Sequence, residues 1–199
     1  ELGSMSEIGR NLSDLQNFFR SPKLRGNIGE QVLKDLLSSN LSNEQYSLQY
    51  NFNNGSIVDA IVKIDSGIVP VDSKFPLENF EAMCNAKTDF DKKQYTNEFN
   101  KNVKKHILDI ANKYILPDQG TVDFAFMYLP SEAIYYEIVV NSPELNNFAY
   151  QNRIIPVSPN TLTTFLRAVM IGYEGKKIEE KAKQILVQLK SIKNETNAY

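Results

Sequence analysis

The chain has 199 residues, with 24 acidic against 22 basic side chains and a net charge of −2 when its one histidine is neutral. Hydrophobic residues make up 42% and charged residues 23%, which excludes a disordered tail or a collagen-like repeat and suits one domain of roughly 150 residues with extensions. The near balance of charge excludes a uniformly basic nucleic-acid binder, although it leaves room for a local basic groove.

Glu1-Leu2-Gly3-Ser4-Met5 reads as vector-derived residues ahead of a chosen start. Ile8, Leu12, Leu15 and Phe19 then recur with helical spacing. Residues 27–39 form a helix with Ile28, Val32, Leu33, Leu36 and Leu37 on one face. Residues 43–52, 56–64 and 68–75 form three strands, separated by Asn53-Asn54-Gly55 and Asp65-Ser66-Gly67. A long polar helix follows at 91–114, a loop at 117–120, and a buried strand at 122–129 that Pro130 stops. Residues 132–141 and 143–150 are helical, and 154–157 is a short strand. A last helix runs from Thr161 to about Lys193, with Gly172 and Gly175 as places where it could break. It carries a heptad seam of Ile178, Ala182, Ile185, Leu189 and Ile192. The expected organisation is a helical extension at 1–24, an α/β domain at 25–170 and a second helical extension at 171–199. The terminal stripes either cover the core or are stubs of a longer coiled coil.

Cys84 is the one cysteine, so no intramolecular disulfide forms and a reducing compartment suffices. His106 is the one histidine, so a zinc site built on two histidines is excluded. A bound metal would have oxygen ligands, as Mg²⁺, Mn²⁺ and Ca²⁺ do. No G-x-S-x-G elbow is present, and Gly172-x-x-Gly175-Lys176-Lys177 lacks the length and hydroxyl of a phosphate-binding loop. The apolar stretches 124–129 and 133–140 fall far short of the roughly 20 residues that cross a bilayer.

The chemistry concentrates in the second and third strands. Residues two apart in a strand share a face, so Asp72 and Lys74 point the same way. If the strands pair around a two-residue loop Asp65-Ser66, Asp59 sits opposite Asp72; around Ser66-Gly67, it sits opposite Lys74. Both registers put Asp59, Asp72 and Lys74 on one face, whereas a one-residue slip would separate them. The other face carries Val58, Ala60, Val62 and Ile64 against Val69, Val71, Ser73 and Phe75. The plain alternative is the polar side of a half-exposed hairpin, with an ordinary cross-strand ion pair.

A helix bearing Glu30, three strands carrying D…D-x-K, then helix, strand and helix together resemble the PD-(D/E)XK nuclease superfamily. The proline that usually precedes the first acid is Val58 here. Further motifs sharpen the resemblance: Gly26-Asn27-Ile28-Gly29-Glu30-Gln31-Val32-Leu33, Val71-Asp72-Ser73-Lys74-Phe75-Pro76-Leu77, and Val103-Lys104-Lys105-His106-Ile107 with Ala111-Asn112-Lys113-Tyr114. Residues 124–129 with Pro130-Ser131-Glu132-Ala133, and Val157-Ser158-Pro159-Asn160-Thr161-Leu162, complete the set. In this order, from about Arg25 to Arg167, they resemble the conserved domain of the bacterial RmuC family.

That resemblance implies a restriction-endonuclease-like α/β fold with a mixed sheet, and a DNA recombination protein that limits inversion at repeats, acting as a metal-dependent nuclease. It implies Asp59, Asp72, the Ser73 carbonyl and Glu30 as ligands of Mg²⁺ or Mn²⁺, with Lys74 orienting water or offsetting phosphate charge. Glu30 also falls in the first turn of its expected helix, where the dipole suits a carboxylate; Glu132 has the same alternative. Lys104, Lys105, His106, Lys113, Arg153 and Arg167 are the candidate DNA contacts. The family's N-terminal membrane segment and coiled coil imply an inner-membrane anchor, with this domain on the cytoplasmic side and possible self-association. A DNA-binding or scaffold module without catalysis is the alternative function.

Overall fold

The computed structural model describes residues 22–75 and 77–196; the stripe from Ile8 to Phe19 lies outside them. Helix α1 spans Pro22–Asn40, starting five residues before the position its apolar stripe suggested. Strands β1 (Tyr46–Asn51), β2 (Ile57–Ile64) and β3 (Gly67–Asp72) follow as an antiparallel meander. Gly55, at φ 80°, turns the first hairpin. Helix α2 (Leu77–Cys84) is absent from the sequence reading, because eight residues present too few repeats to register a period.

Helix α3 spans Asp89–Tyr114 and is capped by Thr88, whose hydroxyl accepts from the Asp91 N–H at 3.0 Å. Its Phe99, Val103, Ile107, Ile110 and Tyr114 recur at spacings of four and three and are all buried. A 3₁₀ turn at Pro117–Gln119 leads into β4 (Ala125–Tyr128), shorter than the expected 122–129. Helix α4 (Glu132–Tyr136) continues into a π turn at Glu137–Asn141. Then come α5 (Pro143–Gln151), β5 (Ile154–Val157) and α6 (Pro159–Thr196), which runs unbroken through Gly172 and Gly175. A helix can carry isolated glycines at a cost of about 1 kcal/mol each.

The five strands lie in chain order, β1-β2-β3-β4-β5, with β3, β4 and β5 parallel. Both faces of this mixed sheet are covered. On one, Ile61, Ala125, Met127 and Ile154 meet α2, α3, α4 and α5. On the other, Ala60, Val62, Val69, Val71 and Phe126 meet Leu33 and Leu37 of α1 and Leu162 and Leu166 of α6. Val58 departs from the expected face and packs with the α3 layer, as does Phe75. Gly67 joins β3 to the turn before β4 at close quarters. Its φ is 143°, and a Cβ there would stand 2.6 Å from the Gly120 carbonyl oxygen. No helix among the described residues is long and apolar enough to cross a membrane.

Candidate active site

The register of β2 against β3 pairs Ala60 with Val71 and Ile64 with Gly67. The hairpin loop is therefore Asp65-Ser66, and the next position along sets Asp59 across from Asp72. The alternative in which Lys74 faces Asp59 across the ladder does not form. The strand also ends earlier than expected: β3 stops at Asp72, so residues 73–75 are not part of it. The reason lies in Asp59, whose Oδ2 accepts hydrogen bonds from the Ser73 N–H at 2.8 Å and the Ser73 hydroxyl at 2.9 Å. The carboxylate takes the backbone donor that a longer strand would have given to a neighbour.

Lys74 nevertheless joins the site, because its long stem lets Nζ reach Asp59 Oδ1 at 3.1 Å. Its side chain is 59% exposed while that of Asp59 is 1% exposed, so the ammonium stands at the mouth and the carboxylate at the floor. Asp72 is equally deep, and His106 of α3 brings Nε2 to 3.2 Å from its Oδ2. Burial of both carboxylates removes the half-exposed hairpin as an account of this face. Asp59 Oδ1 and Asp72 Oδ2 are both buried, and each faces a nitrogen, Lys74 Nζ for the first and His106 Nε2 for the second.

Glu30 comes from the third turn of α1, so the helix dipole does not explain it. Helix α1 passes close to the end of β3 here: a Cβ at Gly29 would stand in van der Waals contact, 3.4 Å from the Ser73 carbonyl oxygen. Partial burial, and then repulsion from Asp59, hold the Glu30 carboxyl above the usual carboxylate range, with Lys74 pulling the other way. For Lys74, burial acts to lower the pKa, but attraction to Asp59, Asp72 and Glu30 outweighs it and the net shift is upward. A cavity of about 330 Å³ opens beside these groups, lined by Glu30, Gln31, Lys34, Leu48, Gln49 and Asp59.

Three neighbours were not singled out from the sequence. Gln49 donates from Nε2 to Glu30 Oε2 at 3.2 Å. Lys34 lies one helical turn beyond Glu30, an i, i+4 spacing that could have flagged it. Tyr114 stacks on Phe52 and donates to the Ile57 carbonyl at 3.1 Å. Its phenol is pushed up to about 12 by burial, then by the charges of Asp72 and Asp59.

The six candidate DNA contacts do not gather on one surface. His106 is turned to Asp72, with Lys113 two turns along the same side of α3. Lys104 lies about 160° away around that helix, its ammonium 5.6 Å from the Phe148 ring centre; Lys105 is exposed. Arg153 stands at the entry to β5 with φ 61°, and Arg167 projects from α6 in the opposite layer. Glu132 has a structural task, accepting the Asn160 N–H at 3.0 Å and tying α4 to the start of α6. Among the described residues, no three His, Cys, Asp or Glu side chains converge as a preformed metal cage.

Comparison with known proteins extends this picture. The chain is 27% identical to the DNA recombination protein RmuC homolog of Xylella fastidiosa over 98% of its length and 45% of that protein's. It is 29% identical to the Pasteurella multocida homolog over 98% of its length and 41% of the relative's. Against DNA recombination protein RmuC of Escherichia coli it is 31% identical, over 74% of this chain and 33% of that one. The chain thus spans less than half the length of these curated relatives. No solved structure matches it. The profile of the RmuC family matches residues 1–199 from end to end, and the chain belongs to the RmuC family of DNA recombination proteins.

Proposed function

We propose that this domain is a metal-dependent DNA phosphodiester hydrolase with a PD-(D/E)XK fold. The observation that carries the reading is the pair of buried carboxylates, Asp59 and Asp72, side by side on neighbouring strands under an exposed lysine. Burying two like charges is costly, and a fold without a use for them would replace them. Family membership supports a DNA substrate, since the relatives are named as DNA recombination proteins.

The donor set fits a hard divalent cation. Asp59 and Asp72 turn buried oxygens toward Lys74 and His106, side chains that would give way to a cation, and Mg²⁺ is commonly held by one or two carboxylates, waters and substrate phosphate rather than a complete protein cage. Asp59 and Asp72, with the Ser73 carbonyl and Glu30, would hold Mg²⁺ or Mn²⁺, which would polarise the phosphodiester and acidify a water. Hydrolysis consumes a water: its oxygen would bond to phosphorus, the P–O ester bond would break, and the departing oxygen would take up the proton that the water gives up. Lys74, whose pKa is raised, stays an ammonium and acts on phosphoryl charge as a cation, not as a base. His106 steadies Asp72 from the side of α3.

A scaffold without catalysis has one observation in its favour. Ile171, Ile178 and Ile185 recur every seven residues along α6 and are exposed, as a coiled-coil seam would be. Incubation with single-stranded, duplex and branched DNA in Mg²⁺ or Mn²⁺ separates the two. The hydrolase reading expects strand scission that EDTA and Asp72→Ala abolish; binding without scission under every metal condition refutes it.

A further inference from the structure

We infer that Gln49 is a positioning residue of the carboxylate site, holding Glu30 beside Asp59 from a strained point in β1. The inference rests on the reading of Glu30 as a site residue. Strand β1 pairs with β2 on both sides of Gln49, Leu48 with Ala60 and Tyr50 with Val58, so Gln49 lies across from Asp59. Its φ is 48°, the left-handed region, although its neighbours are paired strand residues. Glutamine adopts that region seldom, because its Cβ crowds the following carbonyl. Such backbone outliers persist where the surroundings hold them, and they concentrate at functional sites.

The conformation has a geometric use. A regular strand would keep Leu48 and Tyr50, two residues apart, on one face. Here Leu48 packs with Ala60 and with Leu33 and Leu37 of α1, the helix that carries Glu30, whereas Tyr50 packs with Val58 in the α3 layer. The left-handed residue breaks the alternation, and the Gln49 amide reaches Glu30 Oε2 at 3.2 Å along the wall of the 330 Å³ cavity. One carboxylate oxygen of Glu30 is thereby engaged and the other is left for a ligand. Gln49 is exposed, so packing does not require a glutamine there.

Gln49→Gly accepts the backbone and removes the amide; Gln49→Asn accepts the backbone and falls one methylene short. In both, Mn²⁺ affinity read by electron paramagnetic resonance falls by about 10-fold or more, and kcat for DNA falls similarly with KM within about twofold, as loss of an outer partner of a ligand does. Gln49→Gly melts about 2–4 °C above wild type, since the strain is gone. A merely structural glutamine would leave affinity and kcat where they were, and that result overturns the inference. If the wild-type protein neither binds Mn²⁺ nor cuts DNA, the hydrolase reading fails separately. The contact is then read from the Gln49 side-chain amide protons in the metal-free protein, whose chemical shifts must move in Glu30→Ala; unmoved shifts overturn it.

Discussion

Replacing Asp72 by asparagine separates stability from function most sharply. The side chain keeps its shape and an oxygen for His106, now at 3.2 Å from Asp72 Oδ2, but the charge is lost. Side chains paired across adjacent strands stand about 5 Å apart. At an effective dielectric constant near 20, two unit negative charges at that distance repel by about 3 kcal/mol. The Lys74 ammonium, 3.1 Å from Asp59, offsets part of this. A residual of about 1–2 kcal/mol remains as the gain from removing one charge, or about 2–8 °C in melting temperature for a domain of this size. Asp72→Asn should therefore melt higher than wild type in EDTA. Mg²⁺ at ten times its dissociation constant should stabilise wild type by about 1.4 kcal/mol and leave the variant unmoved. Thermal denaturation in EDTA and in Mg²⁺, beside the cleavage assay, reads all of this. A variant that melts below wild type in EDTA, or that gains as much from Mg²⁺, would falsify the account of these carboxylates as a strained cation site.

Two further outcomes follow from single positions. Burial and Asp59 raise the Glu30 carboxyl, so its ionised form is disfavoured in the folded state. That penalty is present at neutral pH and disappears as pH falls through the raised pKa; Glu30→Gln should melt higher than wild type at pH 7, with the difference closing in acid. A constant difference across a pH series of melting curves would contradict the sign. Gly67→Ala would combine an unfavourable φ of 143° with a Cβ 2.6 Å from the Gly120 carbonyl oxygen. A loss of about 2–4 kcal/mol in urea unfolding is expected, and a loss under 1 kcal/mol would mean that the junction before β4 yields easily.

The hairpin was legible because a strand has period two and turn residues mark its ends. Asp59, Asp72 and Lys74 followed as one cluster, although Lys74 arrives by the reach of its side chain and not through the ladder. The choice between two registers was beyond local pattern, since Asp65-Ser66 and Ser66-Gly67 are both plausible loops. Pairing of Ala60 with Val71 decided it. Glu30 was recognisable through its motif, whereas its placement in the first turn was wrong because the helix begins at Pro22.

Period and turn chemistry thus determined most element types and the acidic ribbon, while the eight-residue α2 escaped them. Only the tertiary structure decided that His106 turns inward from α3 to Asp72, and that Gln49 leaves the strand conformation to meet Glu30. The physical reason is distance along the chain. Spacing reports neighbours a few residues apart, but Gln49 and Glu30 are 19 residues apart, and His106 and Asp72 are 34 apart (106 − 72). Such pairs meet only when burial of the two apolar layers fixes how helices lie on the sheet.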